Sequence, residues 1–185
     1  MSIVRRSLRA IHFGAGRLRS ACALAWYRAI YEGLVVGRDV TLGRGATLRV
    51  VKGGRMVIGE GSRIEATCDL VSYGLLEIGP RAFVGRGSII VATDRISIGA
   101  DALIAAYATI RDHDHSVGAR QSREDLTMGP VIIGDNVWVG TKASILKGVR
   151  IGSNAVIGAH ALVNKDVAAG AVVGGIPARE LGKSR

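Results

Sequence analysis

Residues 131–167 read VIIGDNVWVGTKASILKGVRIGSNAVIGAHALVNKDV, and the repeat in this stretch decides the fold. A branched aliphatic side chain returns at every sixth residue, at Ile133, Val139, Ile145, Ile151, Ile157 and Val163. A helix of about 3.6 residues per turn would spread these positions around its surface. A short strand and a tight, glycine-assisted corner in every six residues would instead return each aliphatic to the same interior location. The chain is therefore expected to coil.

The same spacing occurs earlier in the chain, in three further sets. They are Ile98, Ile104 and Ile110, then Ile78, Val84 and Ile90, and more loosely Val36, Leu42 and Leu48. Three six-residue units per turn make a triangular prism, in which successive coils are separated by the strand spacing of about 4.8 Å. A narrow interior of this kind accepts branched aliphatics better than rings, which agrees with an aromatic content of only 4%. The repeat predicts an all-β solenoid.

The quoted stretch and the VVGGIPAREL that ends at Leu181 resemble the hexapeptide-repeat acyltransferases. The resemblance is to the maltose, galactoside and nodulation acetyltransferases and the polysaccharide O-acetyltransferases. It covers roughly residues 36–182 and is most specific over residues 130–180. It implies a left-handed parallel β-helix, whereas the spacing alone indicates only a coil. It also implies a homotrimer that uses acetyl-CoA and requires no metal.

The amino end has a different character from the repeat. Residues 3–31 are basic, because they contain Arg5, Arg6, Arg9, Arg17, Arg19 and Arg28 and no acid occurs before Glu32. Apolar residues follow the spacing of one helix face, at Leu18, Ala21, Cys22, Ala25, Trp26 and Ala29. Two interpretations stay open: a helix that lies on an anionic membrane surface, or a helix that packs on the next domain or on a partner subunit.

These patterns divide the chain into three segments. We expect a basic amphipathic helical segment over residues 1–33, the β-helix acyltransferase domain over residues 34–182, and a short tail over residues 183–185. One long loop, residues 111–130, is expected to extrude from the prism because the repeat loses its register there.

Charge and cysteine usage restrict the compartment and the partners. The net charge of +10 indicates an anionic partner, but the arginines are not interleaved with exposed aromatics, which disfavours nucleic acid. Arginine interruptions leave no run of about 20 apolar residues for a membrane span, and no secretory signal is evident. Cys22 and Cys68 show no CxxC spacing, so neither a disulfide framework nor a zinc site is indicated. A cytoplasmic location is expected.

The break in the repeat concentrates the chemistry-bearing side chains. Between Ile110 and Ile133 the chain reads RDHDHSVGARQSREDLTMGPVI, with His113 and His115 next to aspartates. Histidine is suited to remove a proton from a sugar hydroxyl near neutral pH. The resemblance, counted along the strand that enters the loop, favours His115 as the base, with His113 as the alternative. Asp112 is the first candidate for a carboxylate that orients the imidazole.

The resemblance also implies a groove for acetyl-CoA. Small or aromatic residues match positions that line it, namely Trp138, Gly140, Thr141, Gly158 and Ala159. Lys165 and Arg179 match cationic positions near the nucleotide end, where charge-assisted bonds to phosphate are expected.

The function expected from these residues is acetyl transfer to a sugar hydroxyl of a surface polysaccharide, lipopolysaccharide or related glycan. The Arg-rich amino segment resembles enzymes that modify lipid-linked or polymeric glycans. N-acetyl transfer to an amino sugar is the near alternative. A metalloenzyme like the γ-carbonic anhydrases needs three histidines, two of them spaced HxxxxH, whereas this chain has HxH and an isolated His160. A non-catalytic assembly protein would not need the histidine-rich loop.

Overall fold

A computed structural model describes residues 3–51, 53–115 and 126–183, with side chains from Gly16 onward. One helix, α1 (Ile3–Ile30), precedes a parallel solenoid of about six turns. The solenoid strands form three sheets, one for each face of a triangular prism, and a short antiparallel pair lies outside them. The predicted all-β solenoid with an N-terminal helical segment is confirmed.

The strands follow one another around the three faces. The first face contains β1 (Leu34–Val36), β4 (Arg55–Ile58), β7 (Leu75–Ile78), β10 (Arg95–Ile98), β15 (Val131–Ile133) and β18 (Arg150–Ile151). The second contains β2 (Thr41–Leu42), β5 (Arg63–Ile64), β8 (Phe83–Val84), β11 (Leu103–Ile104), β16 (Trp138–Val139), β19 (Val156–Ile157), β21 (Ala171–Gly174) and β22 (Arg179–Lys183). The third contains β3 (Thr47–Val50), β6 (Asp69–Ser72), β9 (Ile89–Ala92), β12 (Thr109–Arg111), β17 (Ser144–Ile145) and β20 (Leu162–Val163).

The core consists of stacked aliphatic columns, one behind each face. On the second face, for example, Val84 pairs with Ile104, which pairs with Val139 in the next coil. Every aliphatic that the six-residue spacing selected is buried. The structure adds one coil that the spacing analysis did not include, because Ile58, Ile64 and Leu70 continue the same columns.

The corners between faces are tight. At Gly99 an added Cβ would lie 2.5 Å from the carbonyl carbon of Gly134 in the next coil, so a larger residue cannot be accommodated without moving backbone. Other corner residues adopt positive φ without being glycine, among them Asn136 and Asn154, a residue type that tolerates this conformation. The close approach of neighbouring coils and the positive φ angles at the corners together explain why the chain is rich in glycine.

Helix α1 packs on the first coil through one side. Leu24 is buried in the core, and the Leu42 backbone N–H donates to Ser20 Oγ at 2.7 Å. The predicted apolar face lies on the other side and is mostly exposed: Leu18, Ala21, Cys22, Ala25, Trp26 and Ala29. Helix α1 therefore packs on the solenoid, but through the side that carries Ser20 and Leu24 and not through the predicted apolar face. Within the described residues, no helix is long and apolar enough to cross a membrane.

The repeat is interrupted after β12. The chain leaves the prism as β13 (His113–His115), which pairs antiparallel with β14 (Leu126–Met128) before the first face resumes. Residues 116–125, which belong to the predicted loop 111–130, lie outside the described residues. The described part of this segment is a two-stranded ribbon that begins at the edge between the third and first faces.

The stacked columns predict that replacing two neighbouring isoleucines lowers the free energy of unfolding by unequal amounts. In β15, Ile133 points into the core and Ile132 points outward. We expect Ile133→Ala to lower the free energy of unfolding by about 2–5 kcal/mol, because it leaves a cavity in a closed column. Ile132→Ala is the matched control and should cost about 1 kcal/mol or less. Denaturant unfolding measures both, and equal costs would contradict the assignment of the inner column.

Candidate active site

A buried carboxylate lies where the chain leaves the prism. Asp112 follows β12 directly, and its side chain is 0% exposed. The Thr93 backbone N–H lies 2.8 Å and 3.0 Å from its two carboxylate oxygens, and the Asp94 N–H donates to Oδ2 at 2.7 Å. Burial of a charge is costly unless hydrogen bonds replace water, and these backbone donors do so. The corner of the preceding coil therefore holds Asp112 in place.

His113 contacts this carboxylate. Its Nδ1 atom lies 3.1 Å from Asp112 Oδ1 and 2.9 Å from Thr93 Oγ1. The ring is nearly enclosed, with a side-chain exposure of 14%. An ionised carboxylate can only accept, so the hydrogen bond to Asp112 requires the proton to be on Nδ1. In the neutral ring, Nε2 is then the unprotonated nitrogen and can accept a proton.

His115 has a different environment. Its backbone pairs with Leu126 on the ribbon, and its side chain is exposed. Within the described residues, no side-chain hydrogen bond holds its ring. Both histidines lie on the same side of the strand, but His115 is two residues, or about 6–7 Å, farther along the ribbon. Among the described residues, His113 is the histidine whose ring contacts a carboxylate, and this geometry favours His113 over His115.

Sequence reasoning missed two contributors to this site. Thr93 and Asp94 belong to the preceding coil and hold Asp112 and His113 from that corner. The coil repeat contains the signal, because β9 pairs with β12 and so brings the residues that follow each strand together. A third residue, Lys147, reaches the ribbon from the following coil, with Nζ 3.8 Å from Asp114 Oδ2.

The residues expected to line the cofactor groove cluster on the second face and at the corner after it. Trp138 begins β16 and is 53% exposed. Thr141 follows in the same coil, and its carbonyl accepts the N–H of His160, which comes directly after the exposed Ala159. Gly158 belongs to the same corner, where an added Cβ would lie 3.3 Å from the carbonyl oxygen of Val173. This arrangement is a strip of small residues beside an exposed aromatic ring.

The packing of neighbouring coils is enough to explain why residue 140 is glycine, whether or not a ligand binds beside Gly140. An added Cβ would lie 2.6 Å from the backbone nitrogen of Ala159, so coil packing already requires glycine.

The two cationic residues expected near the nucleotide end of the groove lie close together. Lys165 and Arg179 line one cleft of about 250 Å³, which also contains Asp166 and Glu180.

The two groups of residues lie on different parts of the prism. Asp112 and His113 are at the edge between the third and first faces, whereas Trp138 and Thr141 are on the second face and its following corner. Among the described side chains, no set of three histidine, cysteine or acidic residues converges as metal ligands.

Comparison with known proteins agrees with the repeat. Residues 130–165 match the family model described as bacterial transferase hexapeptide (six repeats). Galactoside O-acetyltransferase of Escherichia coli (strain K12) is 34% identical over 124 residues, which are 66% of this chain and 61% of that protein. A protein of the same strain, named as an O-acetyl transferase of lipopolysaccharide biosynthesis, is 31% identical over 104 residues, 51% of this chain and 53% of that one. The chain thus spans about half to three fifths of the length of these relatives.

Solved structures extend the match to most of the solenoid. An N-acyltransferase from Bacillus cereus, in complex with dTDP-4-amino-4,6-dideoxyglucose and coenzyme A, superposes with a TM-score of 0.73 over 83% of this chain and 86% of that one. Its sequence identity of 22% supports the fold alone. A galactoside acetyltransferase in complex with coenzyme A is 26% identical, with a TM-score of 0.59 over 83% of this chain and 67% of that one. Repeat, relatives and fold together identify the chain as a hexapeptide-repeat protein with the fold of the parallel β-helix acyltransferases.

Proposed function

We propose that the chain is an acetyl-CoA-dependent O-acetyltransferase that modifies a sugar hydroxyl. The observation that carries this proposal is the contact between His113 and the buried Asp112. A carboxylate that fixes the tautomer of an imidazole is the arrangement that general-base chemistry needs. The sugar O-acetyltransferases among the relatives support the same reaction class.

The residues present fit acetyl-CoA, which when bound supplies the acetyl group as a reactive thioester. Trp138 would offer its exposed ring to the pantetheine arm, and the small corner residues Thr141 and Ala159 would let the arm lie close to the backbone. Lys165 and Arg179 would meet phosphate in their shared cleft. Gly140 and Gly158 complete the strip.

In the proposed step, His113 Nε2 takes the proton of the acceptor hydroxyl. The oxygen then forms the new ester bond to the acetyl carbon, the carbon–sulfur bond breaks, and the proton passes from the imidazolium to the departing sulfur. The Asp112 carboxylate stabilises the imidazolium. Thr93 Oγ1, 2.9 Å from Nδ1, can accept a share of the same proton and so helps to hold the ring.

The acceptor that we propose is a glycan of the bacterial surface, such as a polysaccharide or lipopolysaccharide. The relative named for lipopolysaccharide biosynthesis supports this choice. We place the reaction in the cytoplasm, in agreement with two free cysteines. Transfer to an amino sugar would use the same base, so a panel of acceptors with and without a free amine distinguishes the two reactions.

We further propose a homotrimer in which each site is shared between protomers. On the second face, Phe83, Leu103 and Trp138 stack in register on the outer surface, and Leu103 is 43% exposed. A row of exposed apolar side chains is typical of an interface. A closed ring would also bring the His113 edge of one protomer to the Trp138 face of its neighbour.

The histidine assignment makes a paired prediction. We expect His113→Ala to lower kcat by about 10²- to 10⁴-fold, the range for loss of a general base, while the affinity for CoA stays nearly unchanged. His115→Ala should lower kcat far less, because nothing in the described structure orients its ring. Release of free thiol in the presence of acceptor measures both rates. A larger loss for His115→Ala would identify His115 as the base.

The cationic cleft predicts a different kinetic effect. We expect Lys165→Gln and Arg179→Gln each to raise the KM for acetyl-CoA by about 10- to 100-fold, since each removes a charge-assisted bond worth about 1.5–3 kcal/mol. The kcat at saturation should change little. Lys183→Gln, an exposed lysine in the same strand as Arg179, is the control. An unchanged KM in both cleft variants would show that this cleft does not bind the phosphates of acetyl-CoA.

The shared site predicts that assembly and activity are lost together. Light scattering should give a mass of three 19.4-kDa chains for the unaltered protein. Leu103→Asp should produce monomers without acetyl transfer, because a charge cannot be buried in the proposed interface. A monomeric protein that retains full activity would contradict the shared site.

A further inference from the structure

The outward side of α1 is an apolar surface that is exposed over the part of the helix whose side chains the structure describes. Leu18 is 68% exposed and Trp26 is 59% exposed, and the residues between them on this side are small. The opposite side is fixed to the solenoid by the buried Leu24 and by the hydrogen bond from Leu42 to Ser20. The helix therefore cannot turn its apolar face inward without losing these contacts.

An arginine-lined cleft lies where α1 meets the first coil, on the side of the helix that carries Ser20. It has a volume of about 560 Å³ and separates α1 from the corner after β2, with Arg17, Arg19, Arg44 and Arg63 in its lining. Arg63 pairs with Glu65 at 2.9 Å, and Arg17 lies 4.0 Å from Asp39. Among the side chains that the structure describes, Arg19 and Arg44 form no ion pair. The cleft thus keeps cationic groups available to an anion.

Charge distinguishes a lipid surface from a second copy of the chain as the occupant. Every charged residue of α1 is an arginine, because no acid precedes Glu32. Contact between two copies of this face would bring like charges together at the rim, whereas an anionic bilayer complements them. Trp26 has the amphipathic ring that is enriched at membrane interfaces. The apolar stripe proposed for the trimer is on the solenoid strands β8, β11 and β16 and uses none of the α1 residues.

We infer that α1 and its cleft form a docking surface for an anionic phospholipid bilayer. Leu18 and Trp26 enter the interfacial region, and Arg19 and Arg44 meet the headgroup phosphates. This surface brings the enzyme to membrane-linked acceptors, but it does not depend on the proposed reaction.

Vesicle sedimentation tests this surface. The intact protein should bind vesicles of phosphatidylcholine with phosphatidylglycerol at low salt, much less at high salt, and weakly to phosphatidylcholine alone. The double variant Arg19→Gln/Arg44→Gln should lose about thirtyfold in partitioning, since each arginine contributes about fivefold near such a surface. The control Arg150→Gln/Lys183→Gln removes the same charge from exposed positions elsewhere and should change partitioning little.

A second pair of variants tests the apolar contact. Leu18→Gln/Trp26→Gln should lower partitioning by about tenfold or more, whereas Ile176→Gln/Leu181→Gln, at exposed positions near the carboxyl end, should not. All four residues are exposed, so circular dichroism should show the fold retained. Partitioning equal to that of the intact protein in both α1 variants would overturn the inference. A reduced oligomeric mass for Leu18→Gln/Trp26→Gln with unchanged vesicle binding would assign the face to contacts between copies and would also overturn it.

Discussion

The stacking of one coil on the next is the constraint on which the rest of the molecule depends. Each strand is only two to four residues long over most of the solenoid and would not be stable alone. Its backbone N–H and C=O groups form hydrogen bonds with the coils on either side. Its inward aliphatic side chain is buried because the next coil places another aliphatic side chain directly above it. Stability is therefore shared along the column, and six-residue spacing must be kept wherever the column continues.

This constraint decides where chemistry can be placed. Inward positions belong to the columns, and corner glycines such as Gly99 and Gly140 are required by the close approach of backbone. Polar groups with a function must therefore lie on outer faces, at corners, or where the repeat is interrupted. The ribbon of β13 and β14 is such an interruption, and its first residues remain in contact with the rigid corner of the coil before it. The buried Asp112 joins the two, because backbone N–H groups of the solenoid hold its carboxylate and that carboxylate orients His113.

The sequence predicted the columns well because their period is regular and each step has the same physical meaning. The position of the interrupted coil followed from the same period. The contact of His113, rather than His115, with Asp112 did not follow from the period, because spacing along the chain does not tell how far each ring lies from the prism. The sequence also did not predict the contact of Thr93 with His113. That contact depends on the pairing of β9 with β12, which becomes apparent only when the coils are aligned. The apolar face of α1 was identified correctly as a face, but the sequence did not reveal that a different side of the helix packs on the solenoid.

The central claim is that Asp112 sets the tautomer of His113, and the nitrogen-15 spectrum of the histidine rings measures this most directly. In long-range proton–nitrogen correlation spectra, with the His113 signals assigned from their absence in His113→Gln, neutral His113 should carry its proton on Nδ1 and have an unprotonated Nε2. Asp112→Asn should disturb this state, whereas Asp114→Asn should leave it unchanged. A neutral His113 protonated on Nε2, or a tautomer indifferent to Asp112→Asn, would contradict the account.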